Sequence, residues 1–444
     1  MTLSKPLLPT AAPPQQGGES RVKAWGLTVV LVMLMVVNWA DKAVFGLVAQ
    51  PIAKEFGLTS SQIGLVGSAF FLALTIGGFF AGALHKWKSL RWLLAILCLA
   101  WGVTMLPLVV AGGFAMLLIA RVALGFFEGP SAALIHTAAY TWHPKEKRGL
   151  PGAFLASGAS IAKILIAPLM VLAIAQWGWR ATFVILAGAS IVWCGVWLVT
   201  WKEGPYGERK AVQSDADADV DAEPTAPSAA TPAVSWKKIV FTRTFLGALA
   251  ATFSFYALVT VVLTWLPSYF EVGLGYSRVQ AGVMFGIPSI AGMVCMFLVT
   301  SVTDRMMVRG ASSRILRGVV PAIALLVCGL ALVTVPYIQT PIIAVLVVSI
   351  GYGMGTVIIP LFNAAISEIC PPQQMATVLG YFMALMVTGG LIAPYLTGVI
   401  VDNAATAAEG YATAFQVFGV VAVVGAVIAF FSVNAPRDRA RILS

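Results

Sequence analysis

Charge is what this 444-residue chain has least of. Asp, Glu, Lys and Arg together make up 10% of it, against about 25% in soluble domains. So few charges cannot clothe a water-facing surface, so most of the chain is excluded from water. Histidine is scarce as well: His85, His136 and His143 are scattered and form no ligand cluster. The five cysteines, Cys98, Cys194, Cys295, Cys328 and Cys370, lie in or beside apolar runs. None has CxxC or zinc spacing, so no metal site or redox dithiol is expected and they read as small hydrophobes. There is no Gly-x-x-x-x-Gly-Lys-[Ser/Thr] loop, which excludes work driven by ATP hydrolysis. An enzyme is not expected, and neither is a cofactor beyond a coupling proton.

What is present is apolar. Hydrophobic residues make up 59% of the chain and the mean hydropathy is +0.90. A helix needs about 20 apolar residues to cross a bilayer. Twelve such runs are predicted: 24–48, 61–84, 92–111, 114–142, 150–176, 181–201, 245–269, 279–302, 315–335, 342–369, 375–401 and 412–431. The predicted fold is an all-α membrane protein of two pseudo-symmetric six-helix halves. Its divisions are a disordered tail at 1–23, an N-terminal bundle at 24–201, a linker at 202–242, a C-terminal bundle at 243–433 and a tail at 434–444. The linker carries Asp215, Asp217, Asp219, Asp221 and Glu223 among Ala, Pro, Ser and Thr, a solvated composition. The first run is too long, and carries too much charge, for a cleaved signal.

The net charge of +10 is explained by placement rather than by nucleic acid. Lys5, Arg21 and Lys23 precede span 1. Lys86, Lys88 and Arg91 fall between spans 2 and 3, and Lys145, Lys147 and Arg148 between spans 4 and 5. More follow around the linker, between spans 8 and 9 and in the tail. Only Lys54, Arg180 and Arg278 fall on the other side. This asymmetry puts both termini in the cytoplasm, with a bacterial inner membrane the expected location and a monomer the expected form. Trp25, Trp87, Trp92, Trp177, Trp179 and Trp201 near span ends read as interface anchors. The halves echo each other in Gly125-Phe-Phe-Glu-Gly-Pro130 of span 4 and Gly355-Thr-Val-Ile-Ile-Pro360 of span 10. Such repeats place a substrate site between the halves near mid-depth.

Five ionisable residues lie well inside the spans: Asp41, Lys42, Arg121, Glu128 and Lys163. All belong to the first half. Each costs about 2.5–3.5 kcal/mol at mid-bilayer, so they must line a wet cleft or pair with one another. Arg121, Gly125 and Glu128 share one face of span 4. Asp41 and Lys42, as neighbours on a helix, point about 100° apart and cannot neutralise each other. Arg121 is the natural partner of Asp41, either as a static pair or as part of a gate. Glu128 is open to two readings, a satisfied buried acid or a reversible proton carrier. Lys163 either balances Glu128 or binds a substrate anion. His136 is open to a proton path or an interfacial place.

These residues carry a resemblance. Asn38-Trp-Ala-Asp41-Lys42, Arg121-x-x-x-Gly125-x-x-Glu128-Gly129-Pro130, Gly178-Trp179-Arg180, Thr264-Trp265-Leu266-Pro267 and Asp304-Arg305 resemble motifs of the anion:cation symporter branch of the major facilitator superfamily. That branch includes sugar-acid and sialin-like carriers. The resemblance implies proton coupling at Asp41 and Glu128. It implies anion binding at Lys42 and Arg121, with Asn38 beside them, and gating at Asp304, Arg305 and Arg180. Three departures stand out: Lys42 for the usual Arg, no acid in the 82–91 loop motif, and Leu74 where Tyr is common. The last argues against a polyhydroxylated cargo.

The combined expectation is proton-coupled uptake of a small carboxylate by alternating access. Lys42 and Lys163 would attract the anion, and Tyr256, Thr264, Asn363 and Thr388 would face it from the second half. The alternatives are proton-coupled export of an organic anion or metabolite, and a transporter-like sensor.

Overall fold

A computed structural model describes residues 18–81, 84, 88–110, 112–144, 149–206, 235–370 and 374–443. The tail through residue 17, Lys86 and Trp87, the basic stretch 145–148 and the acidic part of the linker lie outside the described residues.

Among the described residues, twelve helices are long and apolar enough to cross a membrane. They are α1 Arg21–Phe56, α2 Ser60–Gly78, α3 Leu90–Val110, α4 Phe114–Tyr140, α5 Leu150–Trp177, α6 Arg180–Thr200, α7 Arg243–Gly273, α8 Arg278–Val308, α9 Ile315–Tyr337, α10 Pro341–Ile369, α11 Val378–Asp402 and α12 Ala407–Ser432. A backbone in hydrocarbon must satisfy its own polar groups, and a helix does so within one segment. The outer faces are apolar: Val199, Ile191 and Phe431 are exposed, as residues meeting lipid would be.

α1 runs past its predicted end at 48, through Pro51 to Phe56. Polar residues are tolerated there because the helix has reached the interface, and Lys54 in the last turn suits the helix dipole. The Gly-x-x-x-x-Pro repeat has a structural counterpart. α4 is broken between Glu128 and Ser131, and α10 between Thr356 and Ile358. Pro130 and Pro360 each lack the N–H that would bond the carbonyl four residues back, so both helices give way at matching places.

The packing repeats with a six-helix offset. α2 packs on α4 as α8 does on α10, α3 on α6 as α9 on α12, α1 on α5 as α7 on α11, and α1 on α6 as α7 on α12. Between the halves, α2 meets α11 as α8 meets α5, and α1 meets α7. This is a two-fold arrangement about an axis along the helices.

The halves close at the end away from the chain termini. There the Asp402 carboxylate accepts the backbone N–H groups of Ser60 (2.8 Å) and Ser61 (2.7 Å). The Ser68 hydroxyl accepts the Tyr395 N–H at 3.1 Å, and Gln50 donates to the Tyr411 hydroxyl at 3.0 Å. Gly64 and Gly398 let α2 and α11 touch backbone to backbone; a Cβ on either would run into the facing carbonyl of Pro394 or Ser60. The α2–α11 contact is carried by Thr388–Gly390 and Ala393–Asp402 of α11, and the cleft opens toward the end that bears the termini.

Candidate functional site

Near mid-depth, α1 presents Asp41 and Lys42 to two different positions on α4. Arg121 and Glu128 are seven residues apart on one face of α4, and Gly125 lies between them. Its missing Cβ leaves room for the Phe70 backbone of α2, so α1, α2 and α4 converge on one cluster. The side chains are almost wholly buried: Asp41 is 1% exposed, Arg121 and Glu128 2%, Lys42 7%.

The cluster resolves into two ion pairs. Arg121 Nη1 donates to Asp41 Oδ2 at 3.1 Å and Oδ1 at 3.3 Å. Its guanidinium lies between two rings, 4.2 Å from the Phe70 centroid and 4.4 Å from that of Phe45, a desolvated cation–π sandwich. Lys42 Nζ pairs with Glu128 Oε2 and donates to Asn38 Oδ1 at 2.9 Å and the Asn38 carbonyl at 3.0 Å. An ammonium has three donors, and all three are engaged. Glu128 Oε1, in contrast, is buried with no hydrogen-bond partner. Of the two roles open to Lys163, balancing Glu128 is therefore filled by Lys42.

Lys163 stands apart. It sits in a π-helical turn, Ala162–Ile166, within α5, where the wider turn and the missing N–H of Pro168 break the regular bonding. Such turns recur at functional sites. Lys163 is 6% exposed, and among the described residues no carboxylate lies within ion-pair reach of it. Its ammonium is 5.5 Å from the ring centroid of Tyr352 on α10, so it faces the other half across the cleft.

The remaining expected residues are distributed as follows. Tyr256 is partly buried on α7 beside Gly390, and its hydroxyl has no protein partner among the described residues. Asn363 lies eleven residues from Tyr352 on α10, nearly three turns and so the same face. Its Oδ1 is buried and unpartnered. The Thr388 hydroxyl donates to its own helix at Leu385 O, 2.5 Å, and Thr264 packs beside Gly67 in the closed contact. Arg180 pairs with Glu55 at 2.7 Å; both belong to the first six helices, so this bond does not span the two halves. Asp304 and Arg305 are exposed on α8. Asp304 borders a groove of about 320 Å³ between α8, α9 and α10, with Thr300, Arg317 and Leu361. His136 is tied to its own helix at Ala132 O, 2.8 Å.

Sequence reasoning passed over Tyr352, Trp39 and Phe70, because an aromatic side chain in an apolar run gives no signal of facing a cation. It also assigned Arg317 to a loop, whereas the side chain pairs with Glu368 of α10. The positions of both residues inside predicted spans 9 and 10 were the available signal.

Residues 30–394 match the Major Facilitator Superfamily. The chain is 26% identical over 424 residues to a probable sulfoacetate transporter of Cupriavidus necator, covering 93% of this chain and 95% of that one. It is 26% identical over 401 residues to the hexuronate transporter of Bacillus subtilis, covering 89% and 92%. Among solved structures, a bacterial homolog of the human lysosomal transporter Spinster, inward-facing and unoccupied, superposes with a TM-score of 0.73 at 17% identity, covering 95% of this chain and 98% of that one. A D-xylose-proton symporter gives 0.73 at 17%, covering 93% and 99%.

Proposed function

The chain belongs to the major facilitator superfamily, an integral membrane family, and on that footing we propose that it carries a small organic anion together with a proton by alternating access. The observation that carries this reading is the pairing pattern: Lys42 and Glu128 bound to each other, beside a Lys163 with no counter-ion. The small organic acids named for the relatives, sulfoacetate and hexuronate, support an anionic cargo.

Lys163 is the anion's first partner, because a buried cation without a counter-ion is relieved by one. Glu128 is the proton carrier. Its unpartnered Oε1 is where a proton adds, and once it does the carboxyl no longer holds Lys42. Lys42 is then free to turn to the anion, so the site gains a second cation when the proton arrives. Proton and anion therefore bind with positive coupling, and linkage requires each to raise the other's affinity by the same factor. Asp41 and Arg121 hold α1 against α4 beside this exchange, and Asp41 is close enough to pass the proton on. The basic residues flanking the spans place the termini, and hence the open end of the cleft, in the cytoplasm. Release of the proton to the cytoplasm restores the Lys42–Glu128 pair, which expels the anion on that side. The net direction is uptake.

Replacing Glu128 by Gln removes the titration and keeps the shape. In proteoliposomes, Glu128→Gln is expected to retain exchange of labelled for unlabelled anion and to lose accumulation driven by a pH gradient. A variant that still concentrates the anion against its gradient would overturn the coupling role.

A further inference from the structure

The polar inventory of the cleft narrows the cargo further. This step rests on Lys163 being the anion's partner. Arg121 is taken by Asp41, and all donors of Lys42 are taken until a proton reaches Glu128. One cation is left for one anionic head.

Around that head, hydrogen-bonding groups are few. The hydroxyls of Thr260, Thr388 and Thr356 donate to carbonyls of their own helices or a neighbour's. The Oγ atoms of Ser289 and Ser349 are sealed inside the packing. What faces the cleft without a protein partner is Tyr256, Tyr352 and the Asn363 amide. The walls near the cations are rings instead. Trp39 and Phe70 lie 5.5 Å and 5.6 Å from Lys42, and Tyr352 lies 5.6 Å from Phe255, ring to ring.

We infer that the cargo is a monovalent organic acid with an aromatic or branched apolar body, not a polyhydroxylated acid or a dicarboxylic one. Its carboxylate rests on Lys163, with the Tyr352 hydroxyl and Asn363 completing the head group's hydrogen bonds, and its apolar body lies against the rings. A polyol acid of the same charge brings a row of hydroxyls into a site that partners two or three of them. Each buried one left over costs roughly tenfold in affinity. A second carboxylate would meet no free cation.

The test is binding to the purified full-length chain, measured by calorimetry in detergent, because protonated aromatic acids leak across vesicles. Three probes separate charge from hydroxyl content: benzoate, gluconate and terephthalate. Benzoate is expected to bind at least tenfold more tightly than either of the others, and to lose at least tenfold in Lys163→Met. That variant should fold, since it removes a buried charge that nothing balances, and an unchanged or raised Tm checks this. Gluconate or terephthalate binding as tightly as benzoate overturns the inference and leaves the anion site standing. A folded Lys163→Met that binds benzoate like the parent overturns the site itself, and the inference with it. Tyr352→Phe gives an independent reading: it is expected to weaken benzoate severalfold by removing one hydrogen bond while keeping the ring. An unchanged affinity there removes Tyr352 from the head group's shell and overturns that assignment.

Discussion

At the scale of single residues, the five buried charges differ in how completely each is satisfied. Lys42 has every donor engaged, Glu128 has one oxygen bonded and one bare, and Lys163 has only a ring. That gradient distinguishes a latch, a proton carrier and a binding group, which residue type alone does not. The Asp41–Arg121 pair is the most static of the set, held by two bonds and two rings. Breaking one partner of a buried pair typically costs about 3–5 kcal/mol, because the other charge is stranded. Asp41→Ala is therefore expected to lower Tm by many degrees, and Asp41→Ala combined with Arg121→Leu to recover much of the loss. Equal destabilisation by the single and double variants, in a thermal melt of purified protein, would show that the pair is not what holds α1 to α4.

At the scale of elements, two carboxylates do the same local chemistry with different consequences. Asp402 accepts the first N–H groups of α2, and Asp438 accepts the Thr244 N–H at the start of α7, at 2.8 Å. Both place a negative charge at a helix N-terminus, where the dipole favours it. Asp438, on the terminal helix Ala435–Leu443, bonds within the second half. Burial pushes its carboxyl upward, but hydrogen bonds from Arg437 and Thr244 outweigh that and hold it below the usual range. A lowered carboxyl contributes stability that is present above about pH 4 and lost as the pH falls through the lowered value. Asp438→Ala is expected to lower Tm at neutral pH and to have little further effect under acid. Asp402 instead joins the two halves at their closed end. Asp402→Ala should leave Tm nearly unchanged and shift the population toward an open outer face. Spin labels on Leu58 and Ala405, in the two loops that meet there, should report longer distances in that variant. If the distances match those of the parent, the carboxylate is not a latch.

At the scale of the whole molecule, charge bookkeeping constrains the transport cycle. Three buried cations and two buried carboxylates leave the empty carrier at +1. One proton and one monovalent anion add nothing, so loaded and empty forms carry the same charge through the membrane field. Transport is expected to be electroneutral: a potential imposed with potassium and valinomycin should change the initial rate less than twofold, while a pH gradient drives accumulation. A steep dependence on potential would require more than one proton per anion. The sequence by itself determined the twelve spans, because hydrocarbon leaves the backbone no alternative to helices. It determined the two-fold repeat, because Gly125–Pro130 and Gly355–Pro360 break α4 and α10 alike. It also named all five buried charges and the Asp41–Arg121 partnership, which follow from helical spacing and the scarcity of charge. Only the tertiary structure decided that Lys42, not Lys163, neutralises Glu128, that Arg180 bonds within one half, and which end of the cleft is closed. Those outcomes depend on how far apart whole helices stand and on a π turn at Lys163, and helical periodicity within one segment carries no information about distance to another.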